Sequence, residues 1–246
     1  MPAQRQEHGI TNEERSKRLE RANRILDATA ELVQRWGYRK TTIDDIARQA
    51  GVAKGTIYLH WKTRGQLFET LILRERVLVS DELMQRLAQD LEGGTLHGIV
   101  KHTFLVTMQR PLTRGIFLQD TDLLGELLDT AVMQEAVTQK GQAFENHVEL
   151  LRRYNLVRED LDNRTISAAL SAIILGFIIS DSILPEEYHI SLEANAKILG
   201  ETVQRTFEPE QPPSEAVLRE MSMFFQKIYH HFIEEARKQL YKEMEQ

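Results

Sequence analysis

Cysteine is absent from the 246-residue chain. Disulfide scaffolds and thiolate zinc sites are therefore excluded, and the composition fits the reducing cytosol. The sequence also lacks any segment of strand length in which apolar and polar residues alternate, and it contains no internal repeat. Apolar residues instead recur at spacings of three and four along most of the chain, which indicates helices. We expect an all-α protein.

A secretory signal and a long apolar run are lacking as well. The chain opens with MPAQRQEHGITNEERSKRLE, which is polar throughout. Its best membrane candidate, ISAALSAIILGFII at 166–179, is a run of 14 residues that Asp181 closes. A helix that crosses a bilayer needs about 20 apolar residues. We therefore expect a soluble, cytoplasmic protein with no membrane partner.

Motifs of the common catalytic sites are missing too. The sequence has no Gly-rich phosphate loop, no Gly-x-Ser-x-Gly elbow and no His-Glu-x-x-His pair. Its many acidic residues are scattered over the outer faces of predicted helices, where solvation explains them. A helical enzyme would need polar groups that converge, and we identify no such set. We expect neither enzyme activity nor a cofactor.

Three histidines, His97, His102 and His147, raise the question of a metal site, with Asp120 or Asp122 as a further ligand. A spacing of five residues does not place His97 and His102 on one face of a helix. We therefore predict no metal site.

Charge is shared unevenly along the chain, whose net charge is −6. Residues 1–64 hold 13 basic and 8 acidic residues, a net charge of +5, and the remainder carries −11. A basic front on an acidic remainder predicts a polyanionic partner for the front alone. Solvated helix surfaces would explain either part by itself, but they explain the contrast less well.

Two very short helical patterns divided by Gly51 occupy residues 41–61, TTIDDIARQAGVAKGTIYLHW. Thr42 and Asp45 have the spacing of a capping box, and Gly51 suits the sharp turn that ends a helix. The second helix, about 54–61, carries a small, polar and basic face opposite its inward residues. Because the helix is too short to be stable alone, this face predicts contact with a partner.

Breaks in the helical pattern divide the rest of the chain. One long helix comes before this pair and ends at Gly37, and a fourth runs from Thr63 towards residue 90. Later helices are predicted at about 95–109, 111–129, 132–155, 162–184 and 191–207, with a last amphipathic helix after the Pro-rich stretch 208–215. We predict an N-terminal three-helix head, residues 12–72, and a larger helical body, residues 73–246.

The head resembles the DNA-binding domain of the TetR family of bacterial transcriptional regulators. The resemblance rests on ILDATAELVQRWGYRKTTIDDIARQAGVAKGTIYLHWKTRGQLFETLI. It has the Gly-aromatic pair, the Thr-Thr pair, the IA..AGV motif and the Y.HW close that are typical of the family. The likeness covers about a quarter of the chain and implies a helix-turn-helix at about 42–61. Ala53 departs from a frequent serine, and Arg64 and Gly65 depart from the usual lysine and glutamate.

The resemblance implies that the helix at about 54–61 enters the major groove of DNA. A major groove admits one α-helix, whose N-terminal residues meet the base edges. Lys54 and Thr56 suit bases, Gly55 permits close approach, and Leu59 suits an apolar base or sugar contact. Polar side chains further along the helix and at its flanks suit phosphates, which set register. The predicted DNA-binding residues are Thr42, Lys54, Gly55, Thr56, Tyr58, Leu59, His60 and Lys62.

Three aromatic residues of this stretch have alternative interpretations. Tyr58 is also compatible with packing inside the head, and His60 with capping of its own short helix through a backbone group. Trp61 is expected in the core rather than at DNA.

The body is expected to bind a small molecule, as the resemblance implies. Aromatic and methionine side chains can line an apolar cavity, although such residues at helical spacing also form ordinary core. The effector remains unidentified, and its chemistry is expected to be largely apolar. The predicted ligand-binding residues are Phe104, Met108, Phe117, Phe144, His147 and Phe177.

A homodimer is expected because one short recognition helix reads only a few base pairs, and two-fold pairing extends the read. The operator, a double-stranded DNA, should then be a near-palindrome. Segments 166–184 and 216–240 are the candidates for pairing, and either is also compatible with an internal core helix. The family implies that ligand binding tilts the helix that starts at Thr63 and changes the distance between two recognition helices.

The function predicted from these observations is a sequence-specific transcriptional regulator, a repressor that a small-molecule ligand releases from its operator. The alternative is a ligand-independent helical DNA-binding protein of architectural type. An architectural protein should be basic throughout and needs no large acidic body, so the charge pattern favours the regulator.

Overall fold

The computed structural model describes residues 12–245, without the side chains at positions 132, 135–137, 139, 140, 143, 181, 228, 231 and 232. This part of the chain forms eleven α-helices and two short 3-10 helices, with no strand among its residues. The prediction of an all-α fold is confirmed. The helices are α1 Asn12–Lys40, α2 Ile43–Ala50, α3 Lys54–His60, α4 Arg64–Gln89, α5 Leu96–Gln109, α6 Pro111–Leu118, α7 Thr121–Leu124, α8 Ala131–Arg153, α9 Asn163–Ile183, α10 Leu192–Phe207 and α11 Glu215–Glu245; the 3-10 helices are Gly125–Asp129 and Glu186–Tyr188.

Local capping explains where α2 begins and ends. The Thr42 hydroxyl accepts a hydrogen bond from the backbone N–H of Asp45, and this satisfies one of the free donors at the start of the helix. Gly51 ends α2 in the left-handed conformation, with φ 64°, and its N–H donates to the carbonyls of Ala47 and Arg48. The turn between α2 and α3 therefore forms where the sequence predicted it.

Gly37 interrupts α1 and brings the head against the body. Its φ of 78° and ψ of 166° are not helical. A Cβ at this position would lie 2.5 Å from the carbonyl oxygen of Asp122, which is in α7 of the body. Glycine is required here for both reasons, since no other residue combines this conformation with so close an approach.

The helix α4 connects the head to the body. Thr63 caps it together with Gln66, whose side chain accepts from the backbone N–H of Thr63 at 3.2 Å. Further along, Glu75 accepts two hydrogen bonds from Arg110, both of 2.9 Å, and one of 2.7 Å from the hydroxyl of Thr113. The middle of α4 is therefore fixed to the junction between α5 and α6.

Two apolar cores organise the described residues. The first core belongs to the head and includes Ile25, Ile46, Ile57, Trp61 and Phe68. It continues beyond residue 72 into side chains of α4, α6 and α7, the first 3-10 helix and the end of α11, namely Leu73, Val77, Leu112, Leu124, Leu127, Leu240 and Met244. The second core lies in the body, between α5, α8, α9, α10 and the first turns of α11.

The single helix predicted at 111–129 is wrong. The helix α6 ends at Leu118, because Gln119 takes a left-handed conformation with φ 52°. Asp120 then caps α7 by accepting from the backbone N–H groups of Asp122 and Leu123. A glutamine in this conformation gives no sequence signal of a helix end.

The apolar run at 166–179 lies inside α9, Asn163–Ile183, close to the bounds 162–184 that were predicted for this helix. The window Asn163–Ser180 has 18 residues and a mean hydropathy of 1.5, so α9 is long and apolar enough to cross a membrane by length and composition. Only 17% of this window is buried within the chain. The helix therefore presents an apolar surface that the chain itself leaves open.

Candidate nucleic-acid interface

The helix α3 turns one face outward and buries the other. Tyr58 and Leu59 are 39% and 63% exposed, and Lys54 and Gly55 are exposed beside them. Thr56 is half-buried at the edge of this face. The exposed face of α3 therefore combines a cation, a glycine, an aromatic ring and an apolar side chain at the surface of the head.

Three contacts hold α3 from behind. The side chain of Trp61, 2% exposed, donates from Nε1 to the Thr70 hydroxyl at 2.9 Å, which confirms its place in the core. Arg18 Nη2 donates to the carbonyl oxygen of Leu59 at 3.2 Å. Ile57 is fully buried between these contacts. Because α3 has only seven residues and no side-chain cap at Ala53, this support determines its orientation.

The structure contradicts the prediction that His60 contacts a phosphate. His60 is 3% exposed, and its Nδ1–H donates to the carbonyl oxygen of Met244 at 3.1 Å, near the end of α11. Burial lowers the pKa of His60, although the hydrogen bond to Met244 opposes this shift. The side chain points into the molecule, and the alternative of capping within its own helix is also wrong.

The hydroxyl of Thr42 is exposed but engaged in capping α2. It donates to Asp45 Oδ2 at 2.6 Å while it accepts from the backbone N–H of the same residue. The hydrogen bond from Thr42 lowers the pKa of Asp45, which keeps this carboxylate ionised. A phosphate would therefore have to share Thr42 with an adjacent negative charge.

The two lysines at the ends of α3 are placed differently. Lys54 Nζ forms a 2.9 Å ion pair with Asp44 Oδ2 of α2, and this hydrogen bond raises the pKa of the lysine. Lys62 follows α3 and is exposed, and its backbone N–H donates to Gln66 at 2.9 Å. Asp44 was missed by the sequence analysis, although it lies in the first turn of α2.

Arg64 packs inside the head rather than at its surface. Its guanidinium lies 3.9 Å from the ring centre of Tyr38 and 4.7 Å from that of Phe68. It also donates to the carbonyl oxygens of Tyr38 and Thr41. This arginine of α4 therefore connects α4 with the end of α1 and with a residue between α1 and α2.

Five of the six residues predicted to bind a ligand lie together in the second core. Phe104 is 2% exposed and meets Phe177 edge to face, with ring centroids 6.4 Å apart. Met108, Phe117 and Phe144 are partly buried and pack against the same core. A cleft of about 550 Å³ opens elsewhere on the body, between residues 154–160 and 209–217, and none of the six lines it.

His147, the sixth residue, is buried in apolar surroundings. Its ring lies edge-on to Phe225 of α11 at 5.0 Å, and Phe225 stacks on Tyr229 at 4.0 Å. Within the part of the chain that the structure describes, His147 Nε2 has no hydrogen-bond partner. Burial lowers the pKa of His147 to about 4, so that the ring is neutral at pH 7.

Residues 25–71 match the sequence model of the family described as bacterial regulatory proteins, tetR family. The uncharacterized HTH-type transcriptional regulator YhgD of Bacillus subtilis is 37% identical over 70 residues, which is 27% of this chain and 37% of that protein. This chain matches YhgD and three further transcriptional regulators or receptor proteins over only 33% to 45% of their own length.

Other relatives resemble the chain along most of its length. The probable acrEF/envCD operon repressor of Escherichia coli strain K12 is 24% identical over 194 residues, covering 76% of this chain and 86% of that protein. The solved complex of SmeT with triclosan has the same fold, with a TM-score of 0.52 and 21% identity over 79% of this chain and all of that one. The head therefore has the sequence of the tetR family model, and the chain has the fold of the solved SmeT complex.

Proposed function

We propose that the protein is a sequence-specific, DNA-binding transcriptional regulator that acts in the cytoplasm. The observation that carries this proposal is the exposed face of α3, with Lys54, Tyr58 and Leu59 at the surface of a helix-turn-helix. Such a helix fits a major groove, where Lys54 can donate to guanine and Thr56 can meet a base edge. The net charge of +5 in residues 1–64 supports attraction to phosphates.

The proposed phosphate contacts are those of Tyr58, Lys62 and, to a smaller extent, Thr42. Tyr58 and Lys62 are exposed at and just after α3, where they can meet the DNA backbone. The Thr42 hydroxyl already pairs with Asp45, so its contribution is the smallest of the three. Phosphate contacts of this kind fix the register of α3 and leave the reading of sequence to Lys54 and Thr56.

A homodimer is proposed from the open face of α9. Leu175, Ile179 and Ile183 are 40%, 38% and 70% exposed at spacings of four residues, so they form one apolar stripe. Gly176 has open space where a Cβ would be, which permits close approach of a second helix. Met223 of α11, 65% exposed, is a further apolar side chain at the surface. Apolar surface of this extent marks an interface, and two-fold symmetry matches a near-palindromic operator.

A small-molecule effector is proposed to bind in the second core and to release the operator, so that the regulator represses. The aromatic cluster around Phe104 and Phe177, with one neutral polar ring at His147, suits a largely apolar ligand. The complex of SmeT with triclosan and the operon repressor of Escherichia coli support an effector and repression, respectively. The net charge of −11 beyond residue 64 disfavours the architectural alternative.

Selection from a random duplex library tests the proposal for DNA. The full-length protein should enrich one near-palindromic sequence and bind it at least about 1,000-fold more tightly than random DNA. Enrichment of no sequence, with equal affinity for every duplex, would support the architectural alternative. A lack of any binding to DNA would reject both.

The proposal for an effector has its own test. Small molecules that raise the thermal transition of the protein should be titrated against its complex with the selected duplex. An effector must lower the affinity of the protein for that duplex by about 5–150-fold. Because coupling is reciprocal, the effector must also bind the complex with DNA more weakly than the free protein, by the same factor. If every stabilising molecule left duplex affinity unchanged, the proposal of ligand control would fail.

A further inference from the structure

The last helix spans both cores. With 31 residues, α11 is about 46 Å long. Its first half contributes Met221, which is fully buried, to the second core, and Phe225, 3% exposed, which contacts His147. Its last turns contribute Leu240 and Met244, 7% and 1% exposed, to the core of the head. One continuous helix therefore contacts the proposed effector region and the DNA-binding domain.

The end of α11 contacts α3 and α1 directly. The carbonyl oxygen of Met244 accepts the hydrogen bond from His60, the last residue of α3. Glu245 Oε1 lies 2.6 Å from Arg15 Nε of α1. Further back, Arg237 pairs with Asp81 of α4 at 2.6 Å. These contacts fix the final turns of α11 against three helices.

The contact lies behind α3 and leaves its outward face free. His60 is buried beneath Met244, whereas Leu59 is 63% exposed and Tyr58 is 39% exposed. Because α3 is short and begins without a side-chain cap, it depends on support from its buried side. The end of α11 is therefore a support for α3 and does not block its access to DNA.

The other half of α11 is in contact with His147. The rings of His147 and Phe225 are 5.0 Å apart, and Phe225 stacks on Tyr229 one turn later. Any group that inserts beside His147 must displace Phe225 and hence α11. A packed helix responds to such a push by a rigid shift rather than by bending, so the displacement reaches Met244.

We propose that residues 237–245 of α11 are a positioning element that holds the recognition helix α3 in the orientation that reads DNA. The same helix carries a displacement beside His147 directly to α3 through the contact between Met244 and His60, in addition to any route through α4, on which α11 also packs. The inference rests on the proposed DNA-binding function. The positioning element sets the orientation of α3. Loss of this element should therefore affect the reading of bases more than the attraction to phosphates.

The test removes the apolar end of α11 from the head. The double variant Leu240→Ala/Met244→Ala should bind the selected duplex about tenfold or more weakly, with a smaller loss on random duplex, so that the ratio of the two affinities falls. Tyr241→Ala, a change in the same turn at a 45% exposed side chain, is the matched control and should leave both affinities unchanged. A ratio for the double variant within about twofold of the wild-type ratio would overturn the proposal.

Rescue separates positioning from loss of fold. The chain has no cysteine, so the pair Arg15→Cys and Glu245→Cys can be joined selectively by a short bifunctional maleimide. Joining should restore most of the affinity for the selected duplex in the Leu240→Ala/Met244→Ala background. No recovery, with helix content by circular dichroism equal to that of the wild type, would overturn the proposal. If the wild-type protein itself selects no duplex, the proposed function fails instead.

Discussion

Lys54 Nζ lies 2.9 Å from Asp44 Oδ2, so the first residue of α3 is paired with an acid of the preceding helix. Both side chains are at least half exposed, at 50% and 65%, and a pair of this kind is weak in water. A base or phosphate can therefore compete for Lys54. When Lys54 is bound to DNA, the negative charge of Asp44 remains beside the surface that is proposed to contact the DNA.

Replacement of Asp44 should strengthen DNA binding. Asp44→Asn frees Lys54 and removes one charge that repels phosphates, so affinity at low salt should rise severalfold on the selected duplex and on random duplex alike. Fluorescence anisotropy on both duplexes measures this. Glu201→Gln, at an acidic position of α10 in the body, is the control and should change neither affinity. Weaker binding by Asp44→Asn would show that this carboxylate positions Lys54 instead.

Lys54 and Lys62 should differ in the kind of contact that they lose. Lys54→Ala should lower the affinity for the selected duplex by about 5–150-fold and relax discrimination between bases at one position. Lys62→Ala should weaken all duplexes alike and lower the salt slope by about one unit. Titrations over a range of salt concentrations on matched and mismatched duplexes separate the two. Equal effects of both changes on every duplex would contradict the assignment.

The pair between Glu75 and Arg110 should matter for stability. Glu75 is 11% exposed and Arg110 25%, and the change Glu75→Gln leaves Arg110 only the longer pair with Glu82, at 3.7 Å. We expect a loss of roughly 1–3 kcal/mol in the free energy of unfolding, since the pair is mostly but not fully buried. Urea unfolding measures it. Glu126→Gln, which breaks the exposed pair with Arg39, is the control, and a loss there as large as at Glu75 would contradict the role of burial.

Acid should destabilise the protein through His147. The pKa of this ring is lowered by burial to about 4, from 6.5 in the unfolded chain. Between pH 6.5 and about pH 4 the unfolded state binds a proton at His147 that the folded state does not bind. The contribution of His147 to the free energy of unfolding is therefore fully present above pH 6.5 and is lost as the pH falls to about 4. The shift corresponds to about 3 kcal/mol.

The variant His147→Leu isolates this contribution, because other groups titrate in the same range. The difference in unfolding free energy between the variant and the wild type should grow by about 3 kcal/mol from pH 7 to pH 4. Urea unfolding at both pH values gives that difference. A difference that is independent of pH would show that the ring is already protonated or hydrated in the folded protein.

The apolar stripe of α9 should hold two chains together. Ile179→Glu places a charge in the middle of the stripe. Analytical ultracentrifugation at micromolar concentration should then show a dimer for the wild type and a monomer for the variant. Lys197→Glu, on the exposed side of α10, should leave the dimer intact. A wild-type monomer that binds the selected duplex with full affinity would remove the proposed dimer.

Local signals in the sequence were sufficient for most of the helices. Thr42, Gly51 and Thr63 cap or end helices through contacts with residues close by, so their spacing alone predicts them. The break at Gln119 was missed because its left-handed conformation belongs to a residue type that seldom adopts it. For the same reason α7 was not predicted as a separate helix.

Contacts between residues far apart in sequence explain why the inward-facing positions of His60 and Arg64 were not predicted. His60 has the spacing of a surface residue on a short helix, yet its partner Met244 is 184 positions further along. Arg64 likewise turns inward because Tyr38 and Phe68 offer aromatic faces that no local pattern announces. Outward residues such as Lys54 and Leu59 were predictable, since an exposed position needs no partner.

Chemical footprinting of the selected duplex tests whether α3 reads DNA in a symmetric dimer. The protein should protect two patches of the major groove on one side of the DNA, with centres about one helical turn (~34–36 Å) or a multiple of it apart. The protection should be related by the two-fold symmetry of the sequence and should weaken in Lys54→Ala. A uniform protection without symmetry, or one confined to the phosphate backbone on any sequence, would contradict the reading of DNA by α3 in a dimer.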